Sequence, residues 1–369
     1  MRFTCEKSML VAGLNITGRT VAQKSSLSVM EGILCTAANG LQLTGYNMET
    51  AITYQIEAEV FDAGTCVLPA RLFGDIIRRL PEGPVTVVVD DNYKVSIRSG
   101  YASFSISAES AEDYPELPDI GTGASVSIPQ TALKELIGGT IFAVSENQGR
   151  PIHTGVKFEV ENGYISAIAV DGFRLARRSY PTEAAAGRNM EFVVPSPALK
   201  EVEKILQDSD QEVSFTLGRK HILFEIGDAT LVCRLLEGEF LNWRKVVPTN
   251  CSIQLTAHVS DLSSSIERVG LIVSEKYKSP VRCVFGSNVL HLRTNTTIGA
   301  AEDQCSIAGD GKDLEIGFNV RYLADALRAI PDEEVVLELT NGLSPIVLSP
   351  TGKKYDYSYM VLPVRITTN

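Results

Sequence analysis

Apolar residues recur at the spacing of one helix face in three parts of the chain, and an extended strand–turn–strand pattern follows each of them. The three stripes are Met9, Ala12, Gly13 and Ile16; Leu133, Leu136, Ile137, Ile141 and Val144; and Val259, Leu262, Ile266, Val269 and Val273. The hairpins are predicted over 33–47, 156–170 and 281–294, with turns at Asn39-Gly40, Asn162-Gly163 and Ser287-Asn288. Asn-Gly between alternating apolar runs is the strongest short-range signal for a β-hairpin.

A second helix is predicted in each third of the chain, and its limits are marked by proline or asparagine. These helices begin at Pro69-Ala70, at 195–197 and at Asn319, and the first and third end at Pro81 and Pro331. Three short alternating segments follow each helix, which is typical of strands. They cover 85–89, 94–99 and 102–107; 213–217, 221–226 and 230–235; and 335–339, 345–348 and 358–363.

Equivalent positions in the three thirds lie at nearly equal intervals. Asn39, Asn162 and Asn288 are 123 and 126 residues apart, and Leu68, Val194 and Phe318 are 126 and 124 apart. This period is too long for a solenoid repeat, so it indicates a triplicated domain. The sequence therefore predicts an α+β fold with three similar domains, each a helix plus strands repeated twice, over 1–120, 125–248 and 250–369. The boundaries are expected near 118–124 and 248–251, where Pro, Gly and small polar residues collect.

Composition allows large cores but argues against a basic nucleic-acid binder. Hydrophobic residues make up 44% of the chain and charged residues 21%, which excludes a disordered tail. Acidic residues outnumber basic ones, 45 to 34, for a net charge of −11. Because proteins that hold nucleic acid by bulk charge are usually basic, any contact with DNA must use local patches or shape.

The seven cysteines and the apolar runs bear on location. The cysteines are scattered and form no C-x-x-C pair, which fits reduced thiols in the cytoplasm. Residues 1–14 contain no long apolar stretch, and no run approaches the roughly 18 residues of a membrane span. We therefore expect no signal peptide and no membrane partner.

No pattern of residues points to catalysis. None of the four histidines has a metal-ligand spacing, and no nucleophile elbow or phosphate-binding loop is present. Acidic pairs such as Asp90-Asp91 and Glu333-Glu334 fall at predicted turns, where solvated charge is the ordinary explanation. The sequence thus favours a binding or scaffold role without a cofactor or metal.

Several stretches, in order on the threefold repeat, resemble one known family. They are Pro69-Ala70-Arg71, Val170-Asp171-Gly172-Phe173-Arg174-Leu175-Ala176, Glu239-Phe240-Leu241-Asn242-Trp243-Arg244-Lys245-Val246-Val247-Pro248 and Tyr359-Met360-Val361-Leu362-Pro363-Val364-Arg365-Ile366. Together they make the whole chain similar to the bacterial β sliding clamps, the processivity subunits of DNA polymerase III.

The resemblance implies an architecture and a function. Family members have three domains of the DNA clamp fold, and two chains close head to tail into a ring with helices inside and sheets outside. The ring encircles duplex DNA and slides without sequence specificity. A clamp loader opens it, and replicative and repair polymerases and other proteins dock clamp-binding motifs into a pocket. Such a subunit is not an enzyme and acts in the cytoplasm as a homodimer.

By position, the resemblance also assigns three groups of residues. The DNA-binding set is Lys24, Arg71, Arg78, Arg150, Ile152, Lys200, Lys276 and Lys278. The partner-peptide pocket is His153, Val170, Gly172, Phe173, Arg174, Leu175, Leu241, Lys245, Val246, Pro345, Met360, Val361, Leu362, Pro363 and Val364. The dimer interface is Phe104 and Ile106 of one chain against Leu271 and Ile272 of the other. The pocket is expected to be an apolar groove with a basic rim, suited to leucine or phenylalanine anchors.

Two other interpretations stay open at the level of sequence. One is an enzyme whose site is assembled from scattered residues on a triplicated scaffold. The other is a peptide-binding scaffold that does not act on DNA.

Overall fold

The computed structural model describes residues 1–273 and 279–366, so Lys276 and Lys278 lie outside the described residues. This part of the chain forms six α-helices, two in each predicted domain. They are α1 (Lys7–Thr17), α2 (Ala70–Arg79), α3 (Gln130–Gly138), α4 (Ser196–Ile205), α5 (Val259–Gly270) and α6 (Val320–Arg328). Short 3-10 turns occur at Gly18–Thr20, Ser28–Glu31, Ile141–Ala143, Pro151–Thr154, Glu183–Ala185 and Trp243–Lys245.

The chain divides into two compact units that do not follow the threefold repeat. The first contains Met1–Thr131 and Pro197–Leu235, and the second contains Ala132–Ser196 and the chain from Leu236 onward. The middle third is therefore shared between the units. The predicted limits at 120, 125, 248 and 250 remain a division by sequence repeat.

The first unit contains two antiparallel sheets. The smaller has the strand order β5 (Glu59–Asp62), β1 (Arg2–Glu6), β7 (Pro84–Val89), β8 (Lys94–Ser99) and β9 (Ala102–Ser107). The larger has the order β10 (Ala124–Pro129), β15 (Glu212–Leu217), β16 (His221–Ile226), β17 (Ala229–Arg234), β4 (Thr50–Ile56), β3 (Leu41–Tyr46), β2 (Gly32–Ala37) and β6 (Gly64–Pro69). Because β17 pairs with β4, with Leu231 opposite Ile52, this sheet joins strands of two sequence repeats.

Helices α1 and α2 pack together over the main core of this unit. The buried residues of α1 are Leu10, Gly13, Leu14 and Thr17, so the stripe predicted from Met9, Ala12 and Ile16 is rotated from the observed face. Packing decides the face: a Cβ on Gly13 would lie 2.8 Å from Ile56 Cδ1, so any larger residue there would force the Ile56 side chain to shift.

The second unit contains one large antiparallel sheet. Its order is β14 (Asn189–Pro195), β11 (Gly155–Glu161), β12 (Tyr164–Val170), β13 (Arg174–Pro181), β23 (Asp356–Val361), β22 (Ile346–Pro350), β21 (Glu334–Leu339), β18 (Ile253–His258), β20 (Gly299–Phe318) and β19 (Val281–Thr296). The turn between β11 and β12 falls at Asn162-Gly163 as predicted, and both residues have positive φ, 53° and 79°. That geometry is typical of a two-residue hairpin turn.

Two helix ends and one turn differ between the prediction and the structure. Helix α3 stops at Gly138, and Ile141 lies in a separate 3-10 turn, because Thr140 donates its hydroxyl to Leu136 O over 2.7 Å and closes the helix. Helix α5 stops at Gly270, which leaves Val273 outside it. The turn predicted at Ser287-Asn288 appears as register irregularities within β19, with Asn288 at a φ of 59°.

Candidate functional site

Three segments that are distant in sequence meet in one apolar cluster of the second unit, which we call the pocket cluster. Its buried members are Ile168, Val170, Leu175, Val347 and Met360, and Phe240, Trp243, Val247 and Leu362 pack against them half-buried. Strand register creates the meeting point, because Leu175 of β13 lies opposite Met360 of β23, which in turn lies opposite Val347 of β22. The predicted convergence of the segments around 170–175, 241–246 and 360–364 is therefore present in the fold.

A tight turn between β12 and β13 shapes one side of this cluster. Gly172 has a φ of 91°, a conformation that favours glycine. The Asp171 carboxylate accepts from the backbone N–H groups of Phe173 and Arg174, at 2.9 and 3.0 Å. The Phe173 carbonyl accepts from Leu362 N at 2.9 Å, so the turn also holds the segment that follows β23. The Phe173 side chain remains 59% exposed and available to a partner.

Arg174 does not contribute an exposed charge to the expected basic rim. Its side chain is buried, with Nε 2.8 Å from Asp171 Oδ2 and Nη1 2.6 Å from Asp325 Oδ2. Its guanidinium also lies 4.5 Å from the ring centre of Tyr322. A buried guanidinium requires carboxylate partners, and two carboxylates here neutralise the charge of Arg174. Arg174 therefore stabilises the turn. Lys245 is exposed, and so is Arg365, which follows the predicted pocket residues, so these two cations can form the basic rim.

The segment 236–248, which we call the linker, supplies another side of the cluster. Leu241, Lys245 and Val246 are exposed there, as a docking surface requires. The rings of Phe240 and His153 pack edge to face, with their centres 5.3 Å apart. Burial, and then the charge of Arg150, lower the pKa of His153, which favours a neutral imidazole beside the apolar surface.

The remaining predicted pocket residues lie at the end of the chain and in the loop before β22. Pro345 and Pro363 are half-buried, and Val364 is exposed, with its N–H donating to Gly317 O at 2.7 Å. Val361 is fully buried and is not among the residues of the pocket cluster. Ile168 and Val347 were absent from the prediction, although the pairing of β22 with β23 brings Val347 to the site.

The described cations predicted to meet DNA lie on helices and loops of both units. Arg71 and Arg78 of α2, Lys200 of α4 and the loop residue Lys24 are exposed in the first unit, and Arg150 is exposed in the second. Ile152 is only 9% exposed, so its side chain packs inside the second unit rather than presenting a surface.

A cavity of about 750 Å³ lies beside α1 and α2 in the first unit. Arg19, Arg71 and Arg78 line it together with Asn15 and the acidic Glu31, so its lining carries three guanidinium groups and one carboxylate. Arg78 Nη2 lies 3.0 Å from Asp75 Oδ1, and Arg19 Nη1 lies 3.6 Å from Glu201 Oε2. The surface is therefore positive but partly compensated.

The predicted dimer residues present apolar surface in each unit. Phe104 lies on β9, the last strand of its sheet, and is 40% exposed. Its neighbour Ile106 is half-buried and packs partly on its own core. Leu271, which caps α5, is 84% exposed, and Ile272 is half-buried.

None of the helices within 1–273 and 279–366 is long and apolar enough to cross a membrane. In the same part of the chain, no group of three or more His, Cys, Asp or Glu residues could hold a metal ion.

Known proteins match the chain over nearly its whole length. Three models of the DNA polymerase III beta subunit match consecutive parts of the chain: its N-terminal domain at 1–118, its central domain at 127–242 and its C-terminal domain at 244–365. The β sliding clamp of Staphylococcus epidermidis is 30% identical, with 99% of both chains covered.

Solved structures agree with these matches. A putative DNA polymerase III beta subunit from Eubacterium rectale superimposes with a TM-score of 0.94 at 31% identity, over 99% of this chain and 100% of that one. The DNA polymerase sliding clamp of Bacillus subtilis gives 0.94 at 28% identity and covers both chains completely. The fold and these matches define a protein of the three-domain DNA clamp class.

The chain belongs to the DNA polymerase III beta subunit family, the sliding clamps of bacterial replication. The predicted family, the α+β fold of three similar domains and the function as a DNA sliding clamp and processivity factor are thereby confirmed. The protein is an accessory subunit of the polymerase, so the interpretations as an enzyme and as a scaffold unrelated to DNA are wrong.

Proposed function

We propose that two copies of this chain close head to tail into a ring around duplex DNA, with the first domain of each copy meeting the third domain of the other. Strand β9 ends its sheet, and in the described structure it pairs only with β8, so its outer backbone groups can accept a partner strand. The exposed Phe104 on β9 and the exposed Leu271 after α5 supply apolar surface for the same seam. Such a contact is heterologous, and a half-turn rotation closes it into a ring of two.

Helix number supports two copies rather than one. Helices pack about 8–10 Å apart, so six around a hole give a diameter of roughly 17 Å and twelve give roughly 35 Å. The depths of the major and minor grooves of DNA imply that the duplex is roughly 20 Å wide. Only the ring of twelve helices passes a duplex with room for water.

The charge of the chain suits sliding. Lys24, Arg71, Arg78, Arg150 and Lys200 offer phosphate contacts that carry no sequence information. Because a closed ring is retained by topology, these contacts need not be tight, and a net charge of −11 does not prevent the function.

The pocket cluster gives the ring its use as a tether. We propose that polymerases, the clamp loader and other partners insert short motifs with leucine or phenylalanine anchors between the Phe173 turn, the linker and Leu362. The meeting of these three segments in one cluster is the observation that carries this part of the proposal. The exposed Lys245 and Arg365 would attract acidic residues that flank the motif.

We also propose that the ring works in the cytoplasm, where the chromosome of a bacterium lies. Free and mostly buried cysteines in the described structure support a reducing compartment.

The deciding experiment is retention on circular DNA. The labelled protein is loaded onto a nicked circle by a clamp loader with ATP and is then separated from unbound protein by gel filtration. It should stay on the circle at high salt and leave when a restriction enzyme linearises the DNA. Equal release from circular and linear DNA would mean that the protein binds by contact rather than by encirclement.

A further inference from the structure

Trp243, the single tryptophan of the chain, connects the linker to the sheet of the second unit. Its indole Nε1 donates to both carboxylate oxygens of Glu159 on β11, each at 3.3 Å. Two guanidinium groups lie over its ring, with Arg244 at 4.5 Å and Arg177 at 5.2 Å from the ring centre. The carboxylate acceptor and the stacked guanidinium groups together fix the indole in one orientation.

Glu159 is the anchor of this arrangement. Its side chain is buried, although it carries a charge, and a buried carboxylate is stable only when it is paired. Lys157 Nζ lies 3.0 Å and Arg244 Nη2 lies 2.9 Å from its oxygens. Burial alone would raise the pKa of Glu159, but the hydrogen bonds and charges of Lys157 and Arg244 outweigh it, and the pKa is lowered. Two of its three partners, Trp243 and Arg244, come from the linker.

Arg177, the second guanidinium at the indole, is itself held in place. Its Nη1 and Nη2 donate to the two oxygens of Asp356, each at 2.9 Å, in a bidentate pair between β13 and β23. The pair keeps the guanidinium over the indole, so the sheet itself supplies both supports of Trp243.

The indole in turn determines where the pocket side of the linker lies. The Trp243 carbonyl accepts from Val246 N at 3.0 Å and from Val247 N at 3.1 Å. The Trp243 side chain and Val247 both pack on the pocket cluster. Displacing the indole would therefore displace Val246 and Val247, the linker residues beside the predicted peptide.

We propose that Trp243, held by Glu159, is a positioning residue that fixes the linker side of the partner pocket before a peptide arrives; this inference rests on the proposed function of that pocket. A fixed linker keeps nearly every molecule competent to bind. A loose linker lowers the competent fraction, and apparent affinity falls by the same factor. The loss then appears mainly in the association rate, whereas the loss of a direct contact appears mainly in dissociation.

The test compares Trp243→Ala and Glu159→Gln with a pocket variant, Phe173→Ala with Leu362→Ala, and with a control, Tyr164→Ala. Tyr164 is an exposed aromatic residue at the β11–β12 turn of the same unit. A synthetic fluorescein-labelled peptide with a Gln-x-x-Leu-Phe motif is mixed with each variant in a stopped-flow instrument, and thermal melting establishes that each variant is folded. We expect Trp243→Ala to slow association about tenfold and Glu159→Gln about threefold, with little change in dissociation. Tyr164→Ala should bind as the wild type does.

Tryptophan fluorescence gives a second readout in Glu159→Gln, which retains the indole. Its emission should lie to the red of the wild type in the free protein and return toward the wild-type position with saturating peptide. This readout decides the matter if Trp243→Ala does not fold.

Wild-type association rates and emission in Glu159→Gln, with weak binding by the pocket variant, would overturn the inference and leave the pocket proposal standing. Faster dissociation alone in Trp243→Ala would make Trp243 a contact residue and would also overturn the inference. Unchanged binding by the pocket variant would refute the pocket proposal, and the inference with it.

Discussion

Leu271 is the most informative place to break the proposed ring, because its side chain is 84% exposed in the single chain and contributes little to the fold. Burying a whole leucine side chain contributes roughly 1.5–3 kcal/mol. Truncation to alanine should therefore cost about 1–2 kcal/mol at each seam. A ring of two chains has two identical seams, so the loss doubles to about 2–4 kcal/mol, or roughly 30- to 1,000-fold in the dimer dissociation constant.

Leu271→Asp should act more strongly, because it also brings a carboxylate into an apolar contact. The neighbouring change Ile272→Asp should likewise give folded monomers. Because Ile272 is half-buried, the melting temperature of this variant must be checked. The assay is sedimentation velocity from nanomolar to micromolar protein. Leu343→Asp is the matched control, since Leu343 is 83% exposed but lies in the loop before β22 and not at the proposed seam.

The control should remain a dimer wherever the wild type does, and Leu271→Asp should sediment as a monomer at micromolar concentration. A dimer of wild-type affinity in Leu271→Asp would show that the seam is wrongly placed. A monomeric control would instead point to an interface that includes the loop before β22.

Three further outcomes are expected. Replacing Lys24 and Arg150 with alanine should weaken DNA binding at low salt and reduce the slope of log affinity against log salt by about two, without creating base preference; a sequence-specific footprint would contradict sliding. Phe173→Ala with Leu362→Ala should weaken binding of a Gln-x-x-Leu-Phe peptide about tenfold, or roughly 1.4 kcal/mol, with the dimer intact; Leu175 is less suitable, because at 1% exposure its truncation would open a cavity in the core. His153 should titrate by NMR below the usual value of about 6.5, since burial and then Arg150 lower its pKa. The folded state disfavours the charged imidazole, so the stability that depends on neutral His153 should be fully present above about pH 6.5 and should fall as the pH drops below it. Arg150→Ala should raise the pKa of His153 only part of the way to its usual value, because burial remains.

Local chemistry predicted much of the fold from sequence. The Asn162-Gly163 turn and the second helix of each third, with Pro81 just beyond α2 and Asn319 capping α6, depend on backbone geometry that a few residues dictate. The face of α1 could not be predicted in the same way. Both sides of that short helix carry apolar residues, and the close approach of Gly13 to Ile56 selects one of them.

Pairings between distant strands were beyond the reach of local patterns. The two compact units cut through the middle repeat because β17 pairs with β4, whereas β13 pairs with β23. Tertiary contacts also neutralise Arg174 and bury Glu159 beside Trp243, and residue type alone predicts neither. A resemblance could assign Arg174 to the pocket, but only the tertiary contact with Asp325 shows that its charge is already used.

The distribution of charge on the proposed DNA-facing helices fits the way in which the proposed ring would hold its substrate. Arg78 and Arg79 lie 3.0 and 3.6 Å from Asp75 on the same helix, and Lys204 lies 2.7 Å from Glu201. Exposed pairs at this spacing contribute little to stability, but each carboxylate reduces the attraction of its cation for a phosphate. A protein that must find and keep one site would lose affinity by this arrangement. A closed ring loses nothing, because it cannot leave the duplex, and weak contacts are broken easily at every step. The acidic composition that argues against an ordinary DNA-binding protein is thus compatible with a clamp that slides.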